Sequence, residues 1–299
     1  MERVAIIFNP NAGKDKLKQS IGTIVQKLLQ SYREVTIYQT EKPGDGADYV
    51  DKIAENVDLL IAAGGDGTVN EIINALCALQ NRPIFAIIPG GTSNDFSREI
   101  GISQNPLKAT DQLLEQKVES VDVGKTNQQY FLNFWGIGLI TEVSSAVDSD
   151  SKATLGRMAY YLRTAQTVSD VDPFHLQVES EDYQFNGESV MLIVGNGTFT
   201  GGIQPFFPNG DVQDGLLDVL LIKETSLQTF WSMIQSKMTP EISNENGMIY
   251  FQTKRLSVSA NPTQEIDCDG ESHYSTPTTI SILPGHLRML VGEYKTTKE

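Results

Sequence analysis

Over its first 124 residues the chain alternates short apolar β-type runs with segments of helical period, and few folds accept that pattern. RVAIIF at 3–8 is followed by Leu17, Ile21, Ile24 and Leu28, at steps of four, three and four. The series continues with EVTIYQ (34–39), a helix over about 48–55, VDLLIAA (57–63), a helix over 69–79 and PIFAIIP (83–89). Strand-helix pairs in series predict a parallel sheet covered by helices on both faces. Ligands of such sheets bind beyond the carboxyl ends of the strands, and here those ends read Asn9, Thr40, GGDGT and PGGT.

After Lys125 the pattern changes to many short strands: QYFLNFWGI, HLQVES, SVMLIVGN, LLDVLLI, GMIYFQT, RLSVSA, QEIDCD and TTISIL. These predict a second domain that is antiparallel and β-rich, interrupted by helical stretches over 154–168 and 227–237. A length of 299 residues suits two domains better than one, given roughly 100 to 200 residues per domain. The expected division is 1–124 and 125–285.

Composition removes several classes of function. With 23 Lys+Arg against 38 Asp+Glu the formal charge is −15, which argues against a broad electrostatic grip on nucleic acid or anionic lipid. An anionic ligand must be met locally. No run approaches the ~18 to 20 apolar residues of a membrane span, and MERVAIIFNP lacks the features of a signal peptide, so a cytoplasmic protein is expected. Cys77 and Cys268, like His175, His273 and His286, are too scattered in sequence for a zinc or disulfide framework.

Gly64, Gly65, Asp66, Gly67 and Thr68 follow a strand and lead into a helix expected near Val69. Glycines there allow positive φ and let backbone N–H groups approach an oxyanion, and the helix adds its positive dipole end and unpaired donors. The plainer reading is a strand-to-helix turn with its cap. A second Gly-Gly turn, 89–95, closes the next strand and precedes a short helix over 96–100. Two such turns on neighbouring strands point to a polyphosphate, with Asn9, Thr40, Asn70 and Thr92 offering side chains around it. The Walker pattern is excluded because Lys14 is followed by Asp15, and the dinucleotide fingerprint because Asn70 stands at its third glycine.

NPNAGK, GGDGTVNEIINAL and IPGGTSNDFSREIGI resemble the three motifs of the bacterial diacylglycerol kinase catalytic family. VGNGTFTGGIQPFFPNGDVQDGLLDVLLI and IDCDGES are similar to its later blocks. GGDGT alone is shared with NAD kinases, whereas PGGTSNDF with DGLLDV and DGE belongs to the lipid kinase branch. The resemblance implies a nucleotide-binding α/β domain like that of phosphofructokinases and NAD kinases, followed by a β-sandwich. It also implies that the C-terminal strand, about 286–299, returns to the first domain.

For activity, the resemblance implies transfer of the γ-phosphate of ATP to a lipid hydroxyl, most simply diacylglycerol giving phosphatidic acid, in a cleft between the domains. ATP contacts would fall on Asn9, Thr40, Gly64, Gly65, Asp66, Gly67, Thr68, Val69, Asn70, Gly91 and Thr92. The general base would be Glu271, and a structural Mg2+ would sit on Asp211, Asp214 and the carbonyl of Leu216.

Phosphoryl transfer needs positioning and neutralised charge. Lys14 and Arg98 are the basic residues beside the motifs, so Mg2+ carries much of the neutralisation, held by phosphate oxygens and an acid such as Asp66. For the base, Glu271 competes with Asp269, on the same side of an extended segment, and with Asp66 and Asp95 on the loops. Asp211 and Asp214 also suit plain turns, since Asn209-Gly210 and Asp214-Gly215 are turn dipeptides.

A lipid acceptor implies transient peripheral contact with a membrane. TLGRMAYYLRTAQTV could supply a membrane-facing lip through Leu155, Met158, Ala159 and Leu162, although such stripes more often pack a core. A homodimer is compatible with the pattern. An NAD kinase-like enzyme and a non-catalytic nucleotide-binding regulator are the alternatives.

Overall fold

A computed structural model describes residues 2–13, 15–127, 129–141, 172–199, 206–207, 209–223 and 247–293. Lys14 and the helical stretches expected at 154–168 and 227–237 lie outside the described residues. Contacts divide the chain into two units, Met1–Asp122 with Gly285–Glu299, and Val123–Pro284.

In chain order the first unit holds β1 (Arg3–Phe8), α1 (Lys16–Leu28), β2 (Glu34–Gln39), α2 (Asp45–Ile53), β3 (Leu59–Gly64), α3 (Asp66–Ala78), β4 (Ile84–Pro89), α4 (Asp95–Glu99) and α5 (Pro106–Leu114). The strands run parallel in the order β2-β1-β3-β4, with Ile6 opposite Ile37 on one side and Ile61 on the other. Every residue of β3 is buried, as expected of a strand covered on both faces. α1 packs with α5, and α2 with α3. Leu17, Ile24 and Leu28 form the buried stripe of α1.

Two helices begin three residues earlier than their apolar period indicates. α2 starts at Asp45, because its carboxylate folds back to accept the N–H groups of Glu41 and Lys42 and so shapes the turn before the helix. α3 starts at Asp66, inside the GGDGT motif, with Gly65 as the extended N-cap. Hydrophobic spacing registers only where a helix first meets the core.

The second unit contains β6 (Tyr130–Phe131), β7 (Phe134–Gly138), β8 (Phe174–Ser180), β9 (Gln184–Ser189), β10 (Met191–Gly195), β11 (Leu217–Ile222), β12 (Met248–Thr253), β13 (Arg255–Asn261), β14 (Glu265–Cys268) and β15 (Glu271–Ser275). Two strands are shared by the units, β5 (Val118–Lys125) and β16 (Thr278–Leu290). One sheet is six-stranded, β12-β11-β10-β7-β14-β15. The other is built on β13, which pairs antiparallel with β8 and with the first half of β16. Inward side chains of both, Trp135, Leu192, Val219, Leu256, Val258 and Ile280 among them, form one buried cluster, so this unit is an antiparallel β-sandwich.

The last turns of β16 join the first unit, with Met289 paired to Phe85 of β4 in parallel and Gly285 N donating to Asp122 Oδ1 at 2.6 Å. α5, β5, β9 and β15 are not anticipated by the apolar patterning of the sequence. Cys77 and Cys268 are free and buried, and burial pushes the Cys77 thiol up to about 12. No helix among the described residues is long and apolar enough to cross a membrane.

Candidate active site

Three strand-end loops of the first unit meet. Asn9, after β1, donates through Nδ2 to Thr68 Oγ1 at 3.0 Å, and its Oδ1 accepts Asn11 N. Gly90, after β4, donates its N–H to Gly64 O at 2.7 Å. Asp66 then joins the loops after β3 and β4, accepting Asn94 N on Oδ2 at 2.9 Å and Asp95 N on Oδ1 at 3.0 Å. Thr40, buried after β2, donates its N–H to Phe8 O.

The glycines serve close approach. None of Gly64, Gly65, Gly67, Gly90 and Gly91 has a positive φ, contrary to one of the two reasons for expecting glycine there. A Cβ on Gly91 would lie 2.8 Å from Gly65 Cα, so the two Gly-Gly turns touch backbone to backbone. Gly13, at φ +63, would put a Cβ 1.6 Å from Gly90 O.

This packing assigns the turns unequal roles. In the second, Gly90 N is bonded to Gly64 O, Gly91 N to Asn94 Oδ1 at 2.8 Å, and Asn94 N and Asp95 N to Asp66. Asn94, in the left-handed region at φ 49, also donates to Gly91 O and Gln104 Oε1, and Gln104 donates to Ser97 Oγ. The second turn is therefore a buttress, with Thr92 exposed at its tip. The open donors belong to the first: the first intrahelical bond of α3 is Val69 N to Gly65 O, and no side chain caps the amides of Asp66, Gly67 and Thr68 that precede it. The Val69 amide is thus committed to the helix.

Asn70 accepts Asn74 Nδ2 on its Oδ1, while its own Nδ2 is a buried donor with no partner in the chain. A buried N–H left unmatched asks for an acceptor from water or a ligand. Open amides at a helix N-terminus together with this orphan donor fit an anion, and the helix dipole has the right sign for it. Arg98 donates Nε to Ser93 O on the outer side of the second turn.

The acidic residues of the second unit separate by environment. Asp269 and Gly270, at φ 52 and φ 89, form a two-residue hairpin turn between β14 and β15, with Cys268 opposite Glu271. Asp269 and Glu271 therefore do not share one side of an extended segment; the Asp-Gly dipeptide reverses the chain between them. Asp269 is buried, and its carboxylate accepts Leu132 N at 2.7 Å, Asn133 N at 3.0 Å and Phe134 N at 2.9 Å. Burial pushes this carboxyl up to about 6 against the downward pull of those donors. Asp269 is thereby a brace for the corner between β6 and β7. Glu271, half-buried, opens β15.

Asp211 accepts Gln213 N at 2.9 Å and Asp214 accepts Leu216 N at 2.8 Å, each two residues on, so both carboxylates build Asx turns before β11. Two carboxylates and the Leu216 carbonyl are the hard oxygen donors that Mg2+ accepts. No group of three or more His, Cys, Asp or Glu side chains placed to hold a metal occurs among the described residues.

Residues 3–126 match the diacylglycerol kinase catalytic domain family, and residues 136–291 match the YegS C-terminal NAD kinase beta sandwich-like domain family. The chain is 32% identical over 297 residues to a diacylglycerol kinase of Bacillus subtilis (strain 168), covering 99% of this chain and 98% of that one. The chain belongs to the diacylglycerol kinase family.

A second family member, a diacylglycerol kinase of Staphylococcus saprophyticus, is 30% identical over 289 residues, 96% of this chain and 95% of its own. The crystal structure of a diacylglycerol kinase from Bacillus anthracis str. Sterne superimposes with a TM-score of 0.88 at 40% identity, covering 97% of both chains. The diacylglycerol kinase resemblance drawn from the motifs is thereby established, and with it the fold: a helix-covered parallel sheet and an antiparallel β-sandwich.

Proposed function

We propose that this chain is an ATP-dependent lipid kinase that transfers the γ-phosphate to the free hydroxyl of diacylglycerol, giving phosphatidic acid and ADP. The single observation carrying this reading is the set of open first-turn amides at Asp66, Gly67 and Thr68, with the orphan Asn70 Nδ2 beside them. Names of relatives from two genera supply the acceptor class.

The amides of α3 hold the triphosphate oxygens, and Asn9 keeps Thr68 in place with its hydroxyl hydrogen free to turn toward a ligand. Asp66 acts by clamping the second turn under the first, so that the cradle keeps its shape when anionic ligand binds. Mg2+, when bound, neutralises phosphate charge in this reading. Of the carboxylates expected near the acceptor, Asp269 is bound up in the β6–β7 corner, and Glu271 takes the proton from the lipid hydroxyl as the new P–O bond forms and the bond to ADP breaks. Asp211, Asp214 and Leu216 are the residues that would hold a structural Mg2+. The acceptor resides in a bilayer, so contact with the membrane is transient and weakened by the charge of −15 on anionic lipid.

The test is labelling with γ-labelled ATP and Mg2+ in mixed micelles of diacylglycerol, phosphatidylglycerol, an isoprenoid alcohol and a sphingoid base, beside soluble NAD. Label in phosphatidic acid is the expected product. Label in NAD would replace this reading with an NAD kinase, and no label in any acceptor, with ATP still bound, would make the chain a nucleotide-binding regulator.

A further inference from the structure

Glu71 is a residue of α3, yet its side chain terminates another helix. Its Oε1 accepts the backbone N–H of Gly46 at 2.6 Å and of Ala47 at 3.1 Å. The N-cap of α2, Gly44, provides no side-chain bond, so two of the orphan donors at that helix end are answered from α3 instead. Gly46 is buried, and a Cβ there would sit 2.8 Å from Glu71 Oε1, so the approach depends on glycine.

The consequence falls on the segment between β2 and α2. It is pinned at one end where Thr40 N donates to Phe8 O and within by Asp45, which accepts Glu41 N at 2.7 Å and Lys42 N at 3.0 Å. Glu71 ties the other end to the same helix whose N-terminus presents the open amides. β2 lies two strands from β3 in the sheet order, so at about 4.8 Å per strand Thr40 stands on the order of 10 Å to the side of the α3 N-terminus. That spacing suits the nucleoside half of a ligand whose phosphates rest on α3. Charge agrees: Glu41, Asp45, Asp48, Asp51 and Glu71 outnumber Lys42 and Lys52 on segment 40–53 and its cap, which disfavours a phosphate and tolerates an uncharged ribose and base.

We propose that Glu71 is a positioning residue that holds segment 40–46 as the nucleoside-facing wall of the nucleotide site, an inference that rests on the ATP reading above. It makes no contact with the reacting groups in this role. Its loss should therefore separate recognition of the nucleoside from recognition of the phosphate tail.

The experiment measures Kd by titration calorimetry in Mg2+ for ATP and for inorganic tripolyphosphate, on the wild type, Glu71→Ala, Glu71→Gln and Gly46→Ala. Glu71→Ala should weaken ATP about tenfold, a change of roughly 1.4 kcal/mol, while tripolyphosphate stays within about twofold. Glu71→Gln keeps an accepting Oε1 and should recover most of the ATP affinity. Gly46→Ala, which crowds the carboxylate without removing it, should show the same selective loss in smaller degree. Equal weakening of both ligands, or of neither, in Glu71→Ala would overturn the proposal and leave the ATP reading standing. A wild type that binds tripolyphosphate but not ATP, or neither, would overturn both.

Discussion

Replacing Asp269 by asparagine keeps the shape of the side chain and changes one acceptor into a donor. The Asn Oδ1 still serves Asn133 N and Phe134 N, which the wild type holds at 3.0 and 2.9 Å. Its Nδ2 takes the place of the oxygen that accepts Leu132 N at 2.7 Å, so a buried N–H loses its partner at roughly 1–3 kcal/mol. Asparagine tolerates the left-handed backbone at φ 52, so no strain is added. The wild-type carboxyl has its own cost: burial raises it from 3.8 to about 6, and that shift of about 2 units is worth on the order of 3 kcal/mol.

Because the folded-state value is the higher one, the stabilising contribution of this group is full below pH 3.8 and is lost as pH rises through 6. The amide does not titrate. The stability difference between wild type and Asp269→Asn should therefore be largest at and below about pH 3.8 and shrink by about 3 kcal/mol toward pH 7.5. Urea denaturation read by the fluorescence of Trp135, fully buried and opposite Cys268 in the sheet, measures it at each pH. Asp269→Ala, which leaves all three N–H groups unanswered, should cost at least about 3 kcal/mol at any pH. A difference that does not change with pH, or an Asn variant of unchanged stability that has lost turnover, would refute the assignment of Asp269 as a brace and return it to the chemistry.

Glu271→Gln should lower the phosphoryl-transfer rate by roughly 10²- to 10⁴-fold while the Kd for ATP and the Tm stay at wild-type values, checked by label transfer and calorimetry. Asp66→Asn retains one of the two bonds that join the Gly-Gly turns, so stability should fall by about 1–3 kcal/mol and ATP should bind more weakly, seen together in denaturation and titration. Asp214→Asn should reduce the thermal stability gained on adding Mg2+; identical magnesium and chelator titrations in variant and wild type would reject the metal assignment.

The parallel sheet was legible because its strands are covered on both faces and read as unbroken apolar runs: β1, β3 and β4 lie within a residue or two of RVAIIF, VDLLIAA and PIFAIIP. Its Gly-rich edge was legible for the same reason, since the turns follow those runs directly. The inequality of the two turns was hidden, because GGDGT and PGGTSND look alike as sequence. What distinguishes them is which amides already have partners, a property of Asp66 and Asn94 reaching across the loops. Asp269 shows a different failure: the Asp-Gly pair between IDC and ESHYS is a strong hairpin signal, and reading the block as extended put two carboxylates on one side that the turn separates. Glu71 carried no local signal at all, for its partners are backbone N–H groups two dozen residues upstream.

Backbone amide shifts on titrating the 15N-labelled protein with Mg-ATP test the central assignment most directly. Asp66, Gly67 and Thr68 are expected to shift strongly and saturably, while Gly91, Asn94 and Asp95, whose N–H groups are already bonded within the chain, move little. Shifts concentrated at Gly91, Asn94 and Asp95 with the α3 amides unmoved would contradict it.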